Sequence, residues 1–237
     1  GLHGKELDLI LHSPGGSPEA AAAIVSYLRS KFDDIRVIIP HAAMSAATMI
    51  ACASNRIVMG KHSFVGPIDP QFIIQTPLGV MAVPAQAILD QFDMAKDQCK
   101  DPRTLGAWLP ILNQYGPALL VQSQNAIALS KKYVSTWLAR YMFADHNDPE
   151  QARESAETIA DRLSNHTLFR SHGHHISRTE AREIGLYVDD LEDDQQFQDL
   201  VLSLYHATTH TFGGTYAVKV IENQNGKSFI KLQGMPV

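Results

Sequence analysis

The pentapeptide Ser13-Pro-Gly-Gly-Ser17 joins an apolar strand to a capped helix, and it constrains the fold more than any other stretch of the chain. The preceding segment, Glu6–Leu11, turns from alternating to continuously apolar, which is typical of a buried strand. Ser17 can cap a helix, Pro18 suits its first position, and Glu19 adds negative charge to its first turn. The two glycines expose backbone N–H groups beside that helix N-terminus, where a phosphate or the oxyanion of an attacked carbonyl can bind.

A second serine stands at the next strand-to-helix junction. The β-branched segment Ile35–Pro40 predicts a strand, and the apolar segment Ala46–Ala53 predicts a helix that begins at Ser45. One βαβ step separates the two strands, so we expect them to be parallel and their following loops to emerge on the same edge of the sheet. The amides of Gly15 and Gly16 would then face the Ser45 hydroxyl. The alternative is that Ser45 only caps a buried helix.

Several pieces of the chain, in this order and spacing, carry a family resemblance. They are His12–Gly16, Pro40–Thr48, Arg56–Met59, Gly66–Gln71 and, later, Phe169–Leu186. Together they resemble the serine dehydrogenase proteinases, relatives of signal peptide peptidase A on the fold of the Clp protease proteolytic subunit and the crotonases. The resemblance covers residues 6–190, and the combination is specific although each piece alone is weak.

The resemblance implies an α/β fold of the ClpP/crotonase type. In this fold, stacked βαβ units form a parallel sheet and helices pack outside it. We expect residues 1–190 to form this domain and residues 191–237 to add a C-terminal helix and a β-hairpin around the Asn225-Gly226 turn. Apolar periodicity predicts further helices over residues 84–96, 117–143 and 193–206. Start and stop signals predict two more, one that begins at Pro149 and one that runs from the capping box Ser177–Glu180 to Gly185.

The resemblance also implies a reaction. Ser45 would attack a peptide bond of a protein or peptide substrate, and the amides of Gly15 or Gly16 and of Ala46 would form the oxyanion hole. No nucleotide or other cofactor is expected. Where the family pattern leads us to expect a glycine, this chain has Ala47.

The general base is less well determined by the sequence. A serine hydroxyl needs a group to accept its proton, and a Clp-type enzyme uses a histidine just beyond the nucleophile's helix and strand. No histidine occurs between Ser63 and Ala85. The signal-peptide-peptidase type uses a lysine further along, which burial can make neutral. Lys96 and Lys100 suit that spacing, and Lys96 is preferred because it ends an apolar segment; the alternative for both is a solvated polar turn.

Two other function classes remain open. A non-catalytic scaffold of the same fold would explain Ala47 and the poorly defined base. A crotonase-like acyl-CoA enzyme would share the oxyanion hole, but it would need basic residues near the two loops, which offer few. The histidines at 166, 172, 174 and 175 lack the spacing of a zinc site, so we predict a loop and no metal.

Composition indicates which partners the chain can bind and in which compartment it is expected. A net charge of −5 and a pI near 6.1 give no electrostatic footprint for nucleic acid. Two cysteines form no disulfide framework, so we expect a reducing, cytoplasmic compartment, with membrane association only through a segment upstream of Gly1. The apolar helical region around Trp108 and Trp137 predicts a homo-oligomer, built through those helices or through the C-terminal hairpin.

Overall fold

A computed structural model describes residues 5–76 and 79–233 of the 237-residue chain. The chain divides into two compact units, Gly1–Asp190 and Leu191–Val237. The strands of the first unit are β1 (Glu6–Ile10), β2 (Asp34–Ile39), β3 (Ala42–Ala43), β4 (Arg56–Met59), β5 (Phe64–Val65), β6 (Gln71–Thr76), β7 (Gly79–Pro84), β8 (Ile176–Ser177) and β9 (Val188–Asp190). Its helices are α1 (Pro18–Arg29), α2 (Ala46–Cys52), α3 (Ala85–Gln98), α4 (Pro102–Leu112), α5 (Leu119–Trp137), α6 (Pro149–Ser164), α7 (His166–Phe169) and α8 (Arg178–Ile184).

The main sheet is parallel and has the order β1-β2-β4-β9. Its register pairs Leu9 with Val37 and Val37 with Ile57. The central strands are apolar on both faces, since Val37 and Ile57 on one face and Ile38 on the other are almost fully buried, which is typical of a parallel sheet covered by helices. This sheet and the helices around it confirm the predicted α/β fold.

A second, smaller sheet carries the loops of interest. Its order is β3-β5-β8, with β3 parallel to β5 and β5 antiparallel to β8. The Ser13-Pro-Gly-Gly-Ser17 segment, hereafter the glycine loop, joins this sheet through a parallel bridge between Ser13 and Ala43. The strands leading to Ser45 and to Gly66 therefore run side by side and end at the same edge.

The helix signals of the sequence are mostly confirmed. Ser17 caps α1 by accepting a hydrogen bond from the Ala20 amide at 3.1 Å. Asp148 caps α6, and Ser177 caps α8, which ends at Gly185 in a left-handed conformation. The predicted helix over residues 117–143 is α5, which continues as a π-helical segment, Leu138–Met142.

The sequence patterns did not predict the antiparallel hairpin β6–β7. Its strands pair Ile73 with Ala82 and Gln75 with Val80. All four side chains lie on the same face of the hairpin, because side chains two residues apart on a strand point the same way. On this face Ile73 and Val80 are exposed.

The core of the first unit fills the space between the main sheet and α1, α2, α5, α6 and α8. Its large side chains that are almost fully enclosed are Val37, Ile39, Met49, Ile57, Met59, Val65, Ile68, Leu138, Leu163 and Ile176. Trp108 and Trp137 are only 8% and 9% exposed. These two side chains are therefore covered within the chain, whereas Leu109 of the same predicted apolar region is 50% exposed.

The second unit consists of a helix and a hairpin. After a short 3-10 turn, Leu191–Asp193, the helix α9 spans Gln195–Gly214 with Asp194 as its cap. It runs past the predicted end at residue 206, and its threonines bond back to carbonyls one turn earlier instead of ending it. Strands β10 (Ala217–Glu222) and β11 (Ser228–Leu232) form the predicted hairpin, with Gly226 at φ 70° in the turn. Among the helices of both units, within the described ranges, none is long and apolar enough to cross a bilayer.

Candidate active site

Ser45 occupies a strained strand-to-helix turn. Its backbone has φ 53° and ψ −118°, and its side chain makes no capping hydrogen bond to α2. An ordinary N-cap residue has extended dihedrals and a bonded side chain, so Ser45 does not act as a simple helix cap. A non-glycine residue persists in such a conformation only where its surroundings over-determine it. The same kind of strained turn presents the nucleophilic serine in α/β-hydrolases.

Thr48 and Gly66 hold this turn in place. The buried Thr48 hydroxyl donates to the Ala43 carbonyl at 2.8 Å and accepts from the Gly66 amide at 3.0 Å. Gly66 also packs against the residue before Ser45, because a Cβ at Gly66 would lie 2.5 Å from Cε of Met44. The first turn of α2 is thereby fixed to both β3 and the loop after β5.

The glycine loop lies directly against Ser45, as the sequence predicts. The Ser13 amide donates to the Ala42 carbonyl, and the Met44 amide donates to the Ser13 carbonyl, each at 3.0 Å. Gly15 has φ 104°, and a Cβ there would come within 2.7 Å of both the Met44 carbonyl oxygen and Cβ of Ser45. Glycine is required at this position for its conformation and for the close approach of two backbones.

The amides near Ser45 differ in their hydrogen bonding. The Gly15 amide donates to Oγ of Ser13 at 3.1 Å. The amides of Gly16 and Ala46 meet no acceptor among residues 5–76 and 79–233. Of the predicted oxyanion donors, Gly16 and Ala46 are therefore the two whose N–H groups are available to a ligand.

The predicted lysines lie on the surface of this chain. The side chains of Lys96 and Lys100 are 62% and 76% exposed and pair with Asp93 and Asp97 at 2.8 and 2.7 Å. The hydrogen bond that Lys96 donates to Asp93 raises the pKa of Lys96, whereas a general base needs a lowered pKa. The expectation that Lys96 is buried is wrong, because α3 turns Ala85, Ile88 and Ala95 inward and leaves Lys96 on another side.

The structure joins Asp69 to two distant histidines. Asp69 is 2% exposed, and its carboxylate accepts from Nδ1 of His172 at 2.8 Å and of His166 at 3.1 Å. These bonds fasten the loop after α6 to the segment that follows Gly66. Sequence reasoning missed this cluster, because about 100 residues separate its members. Within the described residues, no group of histidines, cysteines and carboxylates could hold a metal ion.

Comparison with known proteins gives a family. A family model described as ClpP-like SDH-type serine proteinase matches residues 3–211. An uncharacterized protein of Methanocaldococcus jannaschii is 31% identical over 185 residues, which is 78% of this chain and 54% of the relative. A second uncharacterized protein of the same organism is 28% identical over 183 residues, 77% of this chain and 52% of the relative. The chain thus spans about half the length of these curated relatives, and no solved structure matches it.

Proposed function

Because the chain belongs to the ClpP-like SDH-type serine proteinases, we propose that it hydrolyses peptide bonds of protein or peptide substrates with Ser45 as the nucleophile. The observation that carries this proposal is the strained backbone of Ser45 with an uncapped hydroxyl. A residue that only began a helix would gain stability from relaxed dihedrals and a capping bond. The conformation is reasonable if the hydroxyl must point at a substrate.

In the proposed reaction, Oγ of Ser45 attacks the scissile carbonyl carbon, and the carbonyl oxygen becomes an oxyanion. The amides of Gly16 and Ala46 receive this charge, supported by the N-terminus of α2. Gly15 contributes by letting the glycine loop approach Ser45, while its own amide is bonded to Ser13. When the oxyanion collapses, the peptide C–N bond breaks and the amine leaves with the proton taken from Ser45. Water then hydrolyses the remaining acyl ester and restores the Ser45 hydroxyl.

We propose Lys96 as the group that accepts the Ser45 proton, and Lys100 as the alternative. Lys96 must lose its hydrogen bond to Asp93 and be enclosed before it can be neutral near pH 7. A bound substrate or a second copy of the chain would have to provide that enclosure. Activity that depends on a neutral lysine rises with pH and reaches a plateau in the alkaline range.

Labelling with a fluorophosphonate probe, located by peptide mass spectrometry, tests the nucleophile. The wild type should be labelled at Ser45, and Ser45→Ala should be neither labelled nor able to cleave an unfolded protein. Ser26→Ala removes an exposed hydroxyl from α1 and serves as the matched control, with labelling as in the wild type. Full peptidase activity in Ser45→Ala would overturn the proposal, and absence of labelling would favour the non-catalytic scaffold.

A pair of lysine variants tests the base. Lys96→Met keeps the chain length and removes the amine, so it should abolish labelling and cleavage, whereas Lys100→Met should leave both near wild type. The reverse pattern moves the base to Lys100. Two active variants would exclude both lysines.

A further inference from the structure

A groove between α5 and α6 is built from residues that the proposed reaction does not use. Its volume is about 370 Å³, which equals the share of roughly a dozen water molecules in the liquid, so it can hold a small organic ion. The residues that line it are Ser135, Thr136, Ala139, Arg140, Arg153 and Glu157. We call it the arginine groove, because two of its side chains carry guanidinium groups.

The packing of the two helices brings these arginines to the same end of the groove. A short loop joins α5 and its π-helical end to α6, and an ion pair of 2.9 Å between Lys131 and Asp161 fixes the register of the two antiparallel helices. About two helical turns from this pair lie Ala139 on the first helix and Arg153 on the second. Arg140 follows Ala139, whose small side chain leaves the space between the helices open.

A π-helical turn carries Arg140. The Phe143 amide donates to the Leu138 carbonyl at 2.9 Å, five residues earlier, where an α-helix would bond four residues earlier. Turns of this kind are rare and are frequent at functional sites. The guanidinium of Arg140 also lies 5.5 Å from the centroid of the Tyr141 ring, a cation–π distance that restricts its orientation.

Ion pairs do not neutralise the positive charge of this end of the groove. Across residues 5–76 and 79–233, neither Arg140 nor Arg153 pairs with a carboxylate, whereas Lys131 on the same two helices does. Burial is the main cause of the lowered pKa of Arg29, and the charge of Arg140 lowers that pKa further. An anion between the two arginines would relieve the repulsion of like charges.

Glu157 determines which anion fits. It lies on α6 one turn from Arg153, and it is the carboxylate among the residues that line the groove. An ionised carboxylate only accepts hydrogen bonds, so it repels an anion that has no donor, such as sulfate. Hydrogen phosphate has charged oxygens that guanidinium groups bind in pairs, and it also has a hydroxyl that can donate to Glu157.

We propose that the arginine groove binds phosphate, either as the hydrogen phosphate ion or as a small phosphate ester with a neighbouring hydroxyl. Arg140 and Arg153 bind the charged oxygens, the Thr136 hydroxyl donates to a further one, and Glu157 accepts from the hydroxyl of the ligand. The site shares no residue with the Ser45 site, so it does not depend on the proposed function.

Isothermal titration calorimetry of the full chain at pH 7.5 and constant ionic strength tests the site. One inorganic phosphate should bind per chain, and sulfate and acetate should bind about tenfold more weakly or less, because each lacks part of the bonding. Glycerol 3-phosphate distinguishes the two ligand sources: tighter binding than inorganic phosphate supports an ester, and weaker binding supports the free ion. Phosphate that does not bind saturably, or that binds no better than sulfate, would overturn the proposal.

Arginine variants distinguish a built site from simple attraction of an anion. Arg140→Gln and Arg153→Gln should each weaken phosphate binding by about tenfold or more, the usual effect of losing a hydrogen bond to a charged group. Arg140→Lys keeps the charge but not the planar fork, so it should also bind weakly. Arg103→Gln removes an exposed arginine from α4 and the same amount of charge, so it should bind phosphate as the wild type does.

Glu157→Gln tests the selectivity. A glutamine side chain can donate as well as accept, so this variant should bind sulfate about as well as phosphate. The substituted side chains are exposed, so the fold should persist in every variant, as circular dichroism can check. If Arg140→Lys and Arg153→Gln both bind phosphate as the wild type does, the phosphate is an adventitious ion only and the proposal is wrong. Selectivity that persists in Glu157→Gln would overturn the role of that carboxylate.

Discussion

The Ser45 backbone stores strain that neighbouring residues impose. A non-glycine residue in such a conformation costs on the order of 1–3 kcal/mol. The bonds of Thr48 on one side and the close approach of Gly15 on the other leave the turn little room to relax. Strain that serves only to present a hydroxyl should be removable without loss of the fold.

Ser45→Gly should therefore be more stable than Ser45→Ala. Alanine keeps the strain at φ 53°, whereas glycine tolerates positive φ at a smaller cost in unfolded-chain entropy. We expect a net gain of about 1 kcal/mol in the free energy of unfolding, measured by urea denaturation, with both variants inactive. A Ser45→Gly protein that is clearly less stable than Ser45→Ala would show that the turn is not strained.

Gly15→Ala and Gly16→Ala should affect the protein differently, the first mainly through stability and the second mainly through the rate of hydrolysis. A Cβ at Gly15 meets the Met44 carbonyl and Cβ of Ser45, whereas a Cβ at Gly16 meets no atom within 4 Å. Alanine is strained at both positions, since φ is 104° at Gly15 and 152° at Gly16. The added clash should make Gly15→Ala the more destabilising and displace Ser45, while Gly16→Ala should mainly disturb its amide and slow hydrolysis by about 100-fold or more, the usual effect of losing one oxyanion donor. Melting temperatures and initial rates for both variants distinguish these effects; equal destabilisation would contradict the predicted difference.

At the scale of elements, the junction of α2, β3 and β5 depends on one buried hydroxyl. Thr48→Val keeps the shape of the side chain but leaves the Ala43 carbonyl and the Gly66 amide unpaired. An unsatisfied buried group costs about 1–3 kcal/mol, so this variant should unfold at a lower urea concentration and lose activity. Thr158→Val, on the exposed side of α6, is the matched control and should unfold as the wild type does.

Local patterns predicted the elements that carry their own signals. The strand Glu6–Ile10, the cap Ser17 and the cap Asp148 could be identified because each acts on its immediate neighbours. The close approach of Gly15 to Ser45 followed from the parallel order of two strands. The exposure of Lys96 could not be predicted, since it depends on which side of α3 faces the core.

The same limit applied to long-range pairs. Neither the Asp69 bonds to His166 and His172 nor the ring contact of His12 with His41 leaves a periodic signal in the chain. The sequence showed that several histidines occur close together near residue 172. In the folded chain, His166 and His172 bond to the Asp69 carboxylate, whereas the ring of His175 stacks on Phe64.

At the scale of the whole molecule, the first unit exposes apolar side chains that its own core does not cover. On one face of the β6–β7 hairpin, Ile73 and Val80 are 72% and 67% exposed, and on α4 Leu109 is 50% exposed. Exposed apolar surface of this kind marks an association site when it is contiguous. The buried tryptophans add nothing to it, so the expected homo-oligomer would form through these smaller residues or through the C-terminal hairpin, on which Phe229 and Leu232 are exposed.

We therefore expect self-association that depends on the hairpin face. Sedimentation velocity at micromolar concentration should show a species larger than the monomer, since a specific interface of about 1,600 Å² can be stable at that concentration. Ile73→Lys places a charge on the hairpin face and should shift the protein toward the monomer, whereas Ile24→Lys, at an exposed position on α1, should not. If enclosure by a second copy is what makes Lys96 neutral, Ile73→Lys should also slow labelling of Ser45. A wild-type protein that sediments as a single monomeric species would contradict the expected association and leave substrate as the source of that enclosure.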